Sequence, residues 1–199
     1  GRMYIYNFYI DKIIILKQDS SGVWKRIGSF GYVPSSPLST QIDIGVVNSL
    51  DTIIRANNGD VSVYKLEFNS TGYLINVTPL NVLKIPDARA LGIYEYNDTI
   101  YYAFNSNNFI QIYNTNFTML FQFTNDKVYD SNGNVIKNVT NGYTLEPVTI
   151  HDIEFDSNGD LIVAYNEGII AIYDINFDTY DVTLKLSIGS AGSYLGYFN

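Results

Sequence analysis

Ile150-His-Asp-Ile-Glu-Phe-Asp-Ser-Asn-Gly-Asp-Leu-Ile-Val-Ala-Tyr-Asn166, continued by Gly168-Ile-Ile-Ala-Ile-Tyr173, reads as strand, tight turn, strand, turn, strand. Two further stretches repeat that plan. Ile42-Asp-Ile-Gly-Val-Val-Asn-Ser-Leu-Asp-Thr-Ile-Ile-Arg-Ala-Asn57 runs on into Val61-Ser-Val-Tyr-Lys-Leu66, and Ala90-Leu-Gly-Ile-Tyr-Glu-Tyr-Asn-Asp-Thr-Ile-Tyr-Tyr-Ala-Phe-Asn105 into Phe109-Ile-Gln-Ile-Tyr113. Short β-branched and aromatic runs, bounded by Gly, Asn, Asp and Ser and recurring at roughly 45 to 60 residues, are the footprint of propeller blades. The fold class is therefore all-β, a small β-propeller of about four blades.

Working outward, the first complete blade is expected at Ile42 to Val47, Thr52 to Ala56, Val61 to Phe68 and Tyr73 to Thr78. The second uses Leu91 to Tyr96, Thr99 to Phe104, Phe109 to Tyr113 and Met119 to Phe123, and the third Ile150 to Phe155, Leu161 to Tyr165, Ile169 to Asp174 and Val182 to Ser187. Lys127 to Val139 reads as an inserted hairpin. Asn-Gly pairs at Asn58, Asn132, Asn141 and Asn158 supply the positive φ of two-residue hairpin turns. The N-terminal stretch aligns with the end of a blade: Ile13-Ile-Ile-Leu16 matches Ile169-Ile-Ala-Ile172, so the chain starts inside a blade whose innermost strand is missing. Ser193 to Asn199 is the natural replacement, and mixing strands from both ends closes the ring and removes sheet edges. The expected organisation is one domain over 1–199, with blades at about 1–31 plus 193–199, 40–84, 87–125 and 147–190 and an inserted hairpin at 126–141. The alternative is a slice of a six- or seven-bladed ring.

Composition narrows the chemistry. The 199 residues carry a net charge of −8, no cysteine and one histidine, His151. Thiolate zinc sites, iron–sulfur clusters and cysteine nucleophiles are excluded, as is any zinc site built on two or more histidines. A phosphate backbone finds no basic footprint here, so nucleic acid is not an expected partner. Charged residues make up 16% of the chain, against about 25% in ordinary soluble domains, and Tyr, Asn, Ser and Thr fill the difference. Such a coat keeps its hydrogen bonds with water when carboxylates protonate, which suits acid exposure. No run of eighteen apolar residues occurs, so no transmembrane helix is expected in this chain.

Several residue groups qualify as sites. Asp43, His151 and Asp152 stand on expected innermost strands, where side chains can face the central channel; Glu154 follows two residues on. His151 and Asp152 alternate, so a regular strand cannot point both the same way. Asp156-x-Asn158-x-Asp160 and Asp130-x-Asn132-x-Asn134 space oxygen ligands as a calcium loop begins, yet lack its following glycine and later glutamate, which favours plain hairpin turns. Five Asn-x-Ser/Thr sequons, at Asn69, Asn76, Asn97, Asn116 and Asn138, fall in or beside turns and strand ends and are candidate N-glycosylation sites. Tyr4, Tyr6, Tyr94, Tyr96, Tyr101 and Tyr102 can form sugar-stacking platforms or pack between blades. Asp87-Ala-Arg89 reads as a loop ion pair.

Ile188-Gly-Ser-Ala-Gly-Ser-Tyr-Leu-Gly-Tyr-Phe-Asn199 resembles the glycine-punctuated link between blades of NHL-repeat propellers, and Asp156 to Tyr165 followed by Gly168 to Asp174 resembles the second and third strands of that repeat. The family usually has Pro-x-Gly before the innermost strand, where this chain has Asp43-Ile-Gly45, Ala90-Leu-Gly92 and Ile150-His-Asp152. The resemblance implies the fold and leaves activity open. Members that bind RNA use a basic face, and members with zinc lyase activity use several histidines; both features are lacking here. In composition the chain is similar to secreted and virion proteins of thermoacidophilic archaea. The reading that results is a non-enzymatic interaction or structural module without a cofactor, presenting loops to a protein or glycan partner on a virion or secreted, extracellular surface. A propeller hydrolase or lyase with an acidic, metal-binding channel is the alternative, and the ectodomain of a larger membrane protein a third reading.

Overall fold

A computed structural model describes residues 1–7, 12–31, 42–142, 149–166 and 168–189. They form a four-bladed β-propeller, each blade an antiparallel sheet. Blade one holds β1 (Arg2–Asn7), β2 (Lys12–Gln18) and β3 (Trp24–Gly31); blade two holds β4 (Ile42–Val47), β5 (Thr52–Asn57), β6 (Asp60–Phe68) and β7 (Leu74–Lys84). Blade three runs through β8 (Leu91–Tyr96), β9 (Thr99–Ser106), β10 (Phe109–Tyr113) and β11 (Met119–Phe123), then adds the inserted hairpin as β12 (Lys127–Asp130) and β13 (Val135–Asn138). Blade four is β14 (Ile150–Phe155), β15 (Leu161–Tyr165), β16 (Ile169–Asn176) and β17 (Asp181–Ile188). The expected pairing of Ser193 to Asn199 with the first blade lies outside the described residues, as does most of the NHL-like link after Gly189.

Alternation along the strands builds the core. Side chains from facing sheets meet in three apolar clusters, one between each successive pair of blades. Ile13, Ile15, Ile53 and Leu66 fill the first; Ile54, Val63, Tyr102 and Phe104 the second; Phe121, Phe123, Ile153 and Tyr173 the third. The innermost strands β4, β8 and β14 approach one another at the axis. Gly45 makes part of that approach possible, since a Cβ there would lie 2.4 Å from the Ile93 side chain.

One turn design recurs. The β2–β3 hairpin of blade one and the third-to-fourth-strand hairpins of the other blades open on an Asx residue, Asp19, Asn69, Asn114 or Asn176, whose side-chain oxygen accepts backbone N–H bonds from residues two and three or four ahead at 2.8 to 3.1 Å. Asp130 and Asp156 do the same in two other hairpins. This revises the expectation for the Asn-Gly pairs. Only Asn58-Gly59 makes a two-residue turn with both φ values positive; at Asn132 and Asn158 the glycine alone is left-handed, inside a longer Asp-capped turn, and Asn141 follows β13 outside any hairpin.

The insertion ties two blades together. Thr140 bridges Thr183 in parallel, its N–H donating to the Val182 carbonyl at 2.9 Å, while the Lys137 ammonium reaches Asp181 at 2.6 Å. Between blades one and two, Arg55 is buried with its guanidinium 5.5 Å from the Tyr6 ring centre.

Candidate functional site

The six tyrosines singled out above divide into two groups. Tyr4 and Tyr6 pack into the first interblade cluster and Tyr102 is buried in the second. Tyr94, Tyr96 and Tyr101 instead line an open groove of about 500 Å³ between blades three and four. Strand geometry accounts for the second set. Tyr94 and Tyr96 share a face of β8, and Tyr101 on β9 is the cross-strand partner of Tyr94. The two strands are joined by Asn97-Asp98, both with positive φ, a two-residue turn that keeps the hairpin tight.

Phe177, at the tip of the β16–β17 turn, meets this face from blade four. Asn176 sets the turn by accepting from the N–H groups of Asp178 and Thr179 at 3.0 and 3.1 Å. The Phe177 ring then lies 3.9 Å from Tyr101 and 6.0 Å from Tyr94, centre to centre, and Tyr94 lies 5.6 Å from Phe155. Tyr94 and Tyr96 are 10° from parallel, and Tyr96 stays 52% exposed at the outer end of the row. Beneath Tyr94 runs the Asp156–Asp160 turn. A Cβ on Gly159 would stand 2.6 Å from the Tyr94 ring, so only glycine lets the ring sit there.

The rest of the lining is largely polar: Asn158, Asp174, Asn176, Asp178, Asp181 and Thr183. Asp181 is held by the Lys137 ammonium and the Thr179 hydroxyl, both hydrogen bonds that keep its carboxyl below the usual range. Burial, reinforced by Asp178, raises the Tyr101 phenol above its ordinary value. Tyr96 also borders a second cleft of about 430 Å³, reaching across the Asn97-Asp98 turn to Ser49 and Leu50.

The calcium-like triplet proves to be this groove's support. Asp156 accepts from the Asn158 and Asp160 amides at 2.8 and 2.9 Å, and the Asp160 carboxylate is paired with Lys185 at 2.7 Å. Among the described residues no group of three or more His, Asp or Glu side chains is placed to hold a metal ion. Asp87 and Arg89 do form their ion pair.

At the axis, the channel-facing candidates come together only in part. A cavity of about 230 Å³ is lined by Ile44, Gly45, Leu91, Ile93, Glu95 and Glu154 among others. Asp43 bridges two innermost strands, its Oδ1 accepting from the Ile44 amide at 2.7 Å and its Oδ2 from the Leu91 amide at 2.8 Å. Burial first, then the charges of Asp152 and Glu154, push its carboxyl up to about 6 in spite of those bonds. Glu154 is raised too, chiefly by burial. The alternation expected of His151 and Asp152 fails, and both are exposed, because a bulge at His151 leaves that residue without a partner on β15. All five sequon asparagines are exposed.

Sequence reasoning missed Phe177, Asp174, Asn176 and Asp178. Asn176-Phe-Asp-Thr-Tyr180 is the fourth copy of the Asx turn, but Phe177 stands where Asn114-Thr-Asn-Phe-Thr118 has Thr115, so the repeat marks the turn and not its aromatic tip.

No protein-family profile matches the chain, and no curated protein matches its sequence. Among solved structures it is similar to a protein from Lactobacillus plantarum, at 13% identity and a TM-score of 0.51 over 94% of this chain and 67% of that one. A functionally unknown protein from Desulfotomaculum acetoxidans matches at 10% identity and 0.50, over 96% and 67% respectively. Streptogramin B lyase matches at 18% identity and 0.48, over 92% of this chain and 50% of the lyase. At these identities the likeness speaks to the fold alone, and the chain spans about two thirds of the first two and half of the third.

Proposed function

We propose that this propeller is a non-enzymatic interaction module that engages a protein or glycan partner through the groove between its third and fourth blades, on a secreted or virion surface. The observation that carries the reading is Tyr96, a large aromatic side chain more than half exposed at the end of a braced row of rings and facing a wall of amides and carboxylates. Folding gains nothing from leaving that ring in water, whereas a rigid aromatic with few rotatable bonds is well suited to contact. The four-bladed frame supports the role by holding turns at fixed positions. The exported setting draws its support from the weakly ionised coat and from five exposed sequons.

A photo-crosslinking phenylalanine analogue in place of Tyr96, introduced in the full chain, tests the reading. Cross-links to one partner from the native extracellular milieu, absent when the analogue replaces Tyr73 on β7's approach, support it; equal labelling from both positions defeats it. Intact mass of native material then tests the setting through added glycan mass.

A second reading, hydrolase or lyase chemistry in the channel, has one observation in its favour: Asp43 holds its proton to about pH 6 beside Asp152 and Glu154. Against it, both Asp43 oxygens are engaged by backbone amides. Turnover of ester, glycoside or phosphoester substrates that is lost in Asp43→Asn would establish it.

A further inference from the structure

We propose that the ligand of the interblade groove is a neutral glycan, with a pyranose ring lying against Tyr96 and its hydroxyls bonded by the wall of Asp174, Asn176 and Asp178. This rests on the reading of the chain as a binding module and names the chemistry of the partner.

Three features of the groove select that class. The first is the aromatic row. One face of a pyranose presents C–H groups, which pack on an aromatic face through apolar burial and weak C–H contacts. Phe177 stacks on both Tyr101 and Tyr94, and Tyr94 on Tyr96, which holds the row in place, so binding orders few side chains.

The second is the mixture of acceptors and donors on the wall. Asp174 and Asp178 offer only acceptors when ionised, whereas Asn176 and Thr183 bring donors as well. Turn formation occupies the Asn176 carbonyl oxygen with two amides, so its NH2 is the part of that side chain that remains to serve a ligand. Sugar hydroxyls donate and accept at once and can satisfy both kinds. A guanidinium or ammonium only donates and would leave the amide and hydroxyl donors without acceptors.

The third is charge. Among the described residues neither Lys nor Arg lines the groove, and the chain carries −8, so sulfated, sialylated or uronic glycans would meet net repulsion. A strongly basic peptide is also a poorer match than the acid count implies. Asp181 is paired with Lys137 at 2.6 Å and neighbouring Asp160 with Lys185 at 2.7 Å, and the Lys185 ammonium also lies in the field of Asp174, which leaves Asp178. The volume, about 500 Å³, lies within the ~300–1,000 Å³ of small-ligand clefts and suits a short oligosaccharide.

The test uses the bacterially produced 199-residue chain, so that Asn97 next to Tyr96 carries no sugar of its own. Cellohexaose, mannohexaose and chitohexaose are titrated by calorimetry and saturation-transfer NMR, with hexaarginine and a heparin-derived hexasaccharide as charged comparisons. Saturable binding of at least one neutral hexasaccharide is expected, weakened by about tenfold or more in Tyr96→Ala and several-fold in Asp174→Asn, both with unchanged melting temperature. Tyr73→Ala, which removes an exposed tyrosine from blade two, is expected to bind as the parent does. Failure of all three neutral probes, or binding indifferent to Tyr96→Ala, overturns the proposal. Tyr96-dependent binding of hexaarginine alone overturns the glycan assignment while sparing the interaction module; silence toward every probe together with no Tyr96 cross-link removes both.

Discussion

Tyr101 on blade three and Phe177 on blade four lie face to face, ring centres 3.9 Å apart and planes 16° from parallel. They belong to different sheets and are brought together by a turn that the Asn176 side chain organises. The contact thus closes the interblade seam and forms the floor of the groove with one pair of rings. Removing it should cost stability first. Phe177→Ala is expected to lower unfolding free energy by about 2–3 kcal/mol, from lost burial plus ring stacking, and Phe177→Leu by about half as much. Urea unfolding of the two variants gives the comparison; equal midpoints for Ala and parent would mean that the stack contributes nothing.

Asp43 sets the pH dependence near the axis. In the unfolded chain an aspartate ionises near 3.9, roughly two units below the value of about 6 it has in the fold. Between those limits the native state binds more protons than the unfolded state, so stability is greatest at the acid end and declines as pH rises through 6. The change amounts to at most about 3 kcal/mol. Glu154, raised as well, adds to it in the same direction. Asp19, held at about 2 by Lys25 and its turn amides, works oppositely and withdraws stability only as pH falls below the ordinary carboxylate range. Denaturant midpoints from pH 3 to 8 should therefore peak at about pH 4–5, and Asp43→Asn should flatten the descending side. A descending side equally steep in that variant would assign it to other groups.

Much of this architecture is legible in the residues because strand patterning is local. Ile42 to Val47, Leu91 to Tyr96, Phe109 to Tyr113, Met119 to Phe123, Ile150 to Phe155 and Leu161 to Tyr165 are strands with those same ends. β7 runs to Lys84, six residues past the expected Thr78, because a bulge opposite Val63 and Tyr64 resets the register and lets Val82 and Leu83 pair with Ser62 and Val61. That depends on how the two strands pair, with Leu80 bulged out of β7, and not on local patterning. The groove was legible only as a list of tyrosines. Which of them turn outward depends on how blade four approaches blade three, and the deciding residue, Phe177, sits in a turn with no periodicity to mark it. His151 failed for a similar reason, since a bulge leaves no trace in alternation.

Gly159 joins backbone and groove. Its φ of +88° lies in the left-handed region, and a methyl group there would meet the Tyr94 ring at 2.6 Å. Gly159→Ala is therefore expected to cost about 2 kcal/mol or more, the sum of backbone strain and displacement of a packed ring. Gly133, at the same place in the Asp130 turn with φ +85° and open space around it, isolates the backbone part. Gly133→Ala should cost only about 1 kcal/mol. Equal losses at both sites would show that Tyr94 yields freely, and the groove would then lack its braced floor.

Asn125 offers the sharpest test of how the inserted hairpin holds blade four. Its Oδ1 accepts from the hydroxyls of Tyr165 at 2.6 Å and Tyr173 at 3.0 Å, and the two hydroxyls lie 3.1 Å apart. All three side chains are buried, so water does not replace a lost partner at no cost. Asn125→Ala removes an acceptor shared by two phenols and is expected to lower stability by about 2–3 kcal/mol. Replacing both tyrosines with phenylalanine in the Asn125→Ala background should recover part of that loss, because no buried hydroxyl then seeks the missing oxygen. The coupling between position 125 and the tyrosine pair should exceed about 0.5 kcal/mol in a double-mutant cycle measured by urea unfolding. Strict additivity would mean that the three groups do not act as a network, and the insertion would then be tied to blade four through Thr140–Thr183, the bonds of Lys137 to Asp181 and Thr179, and the packing of Val128 and Val139 instead.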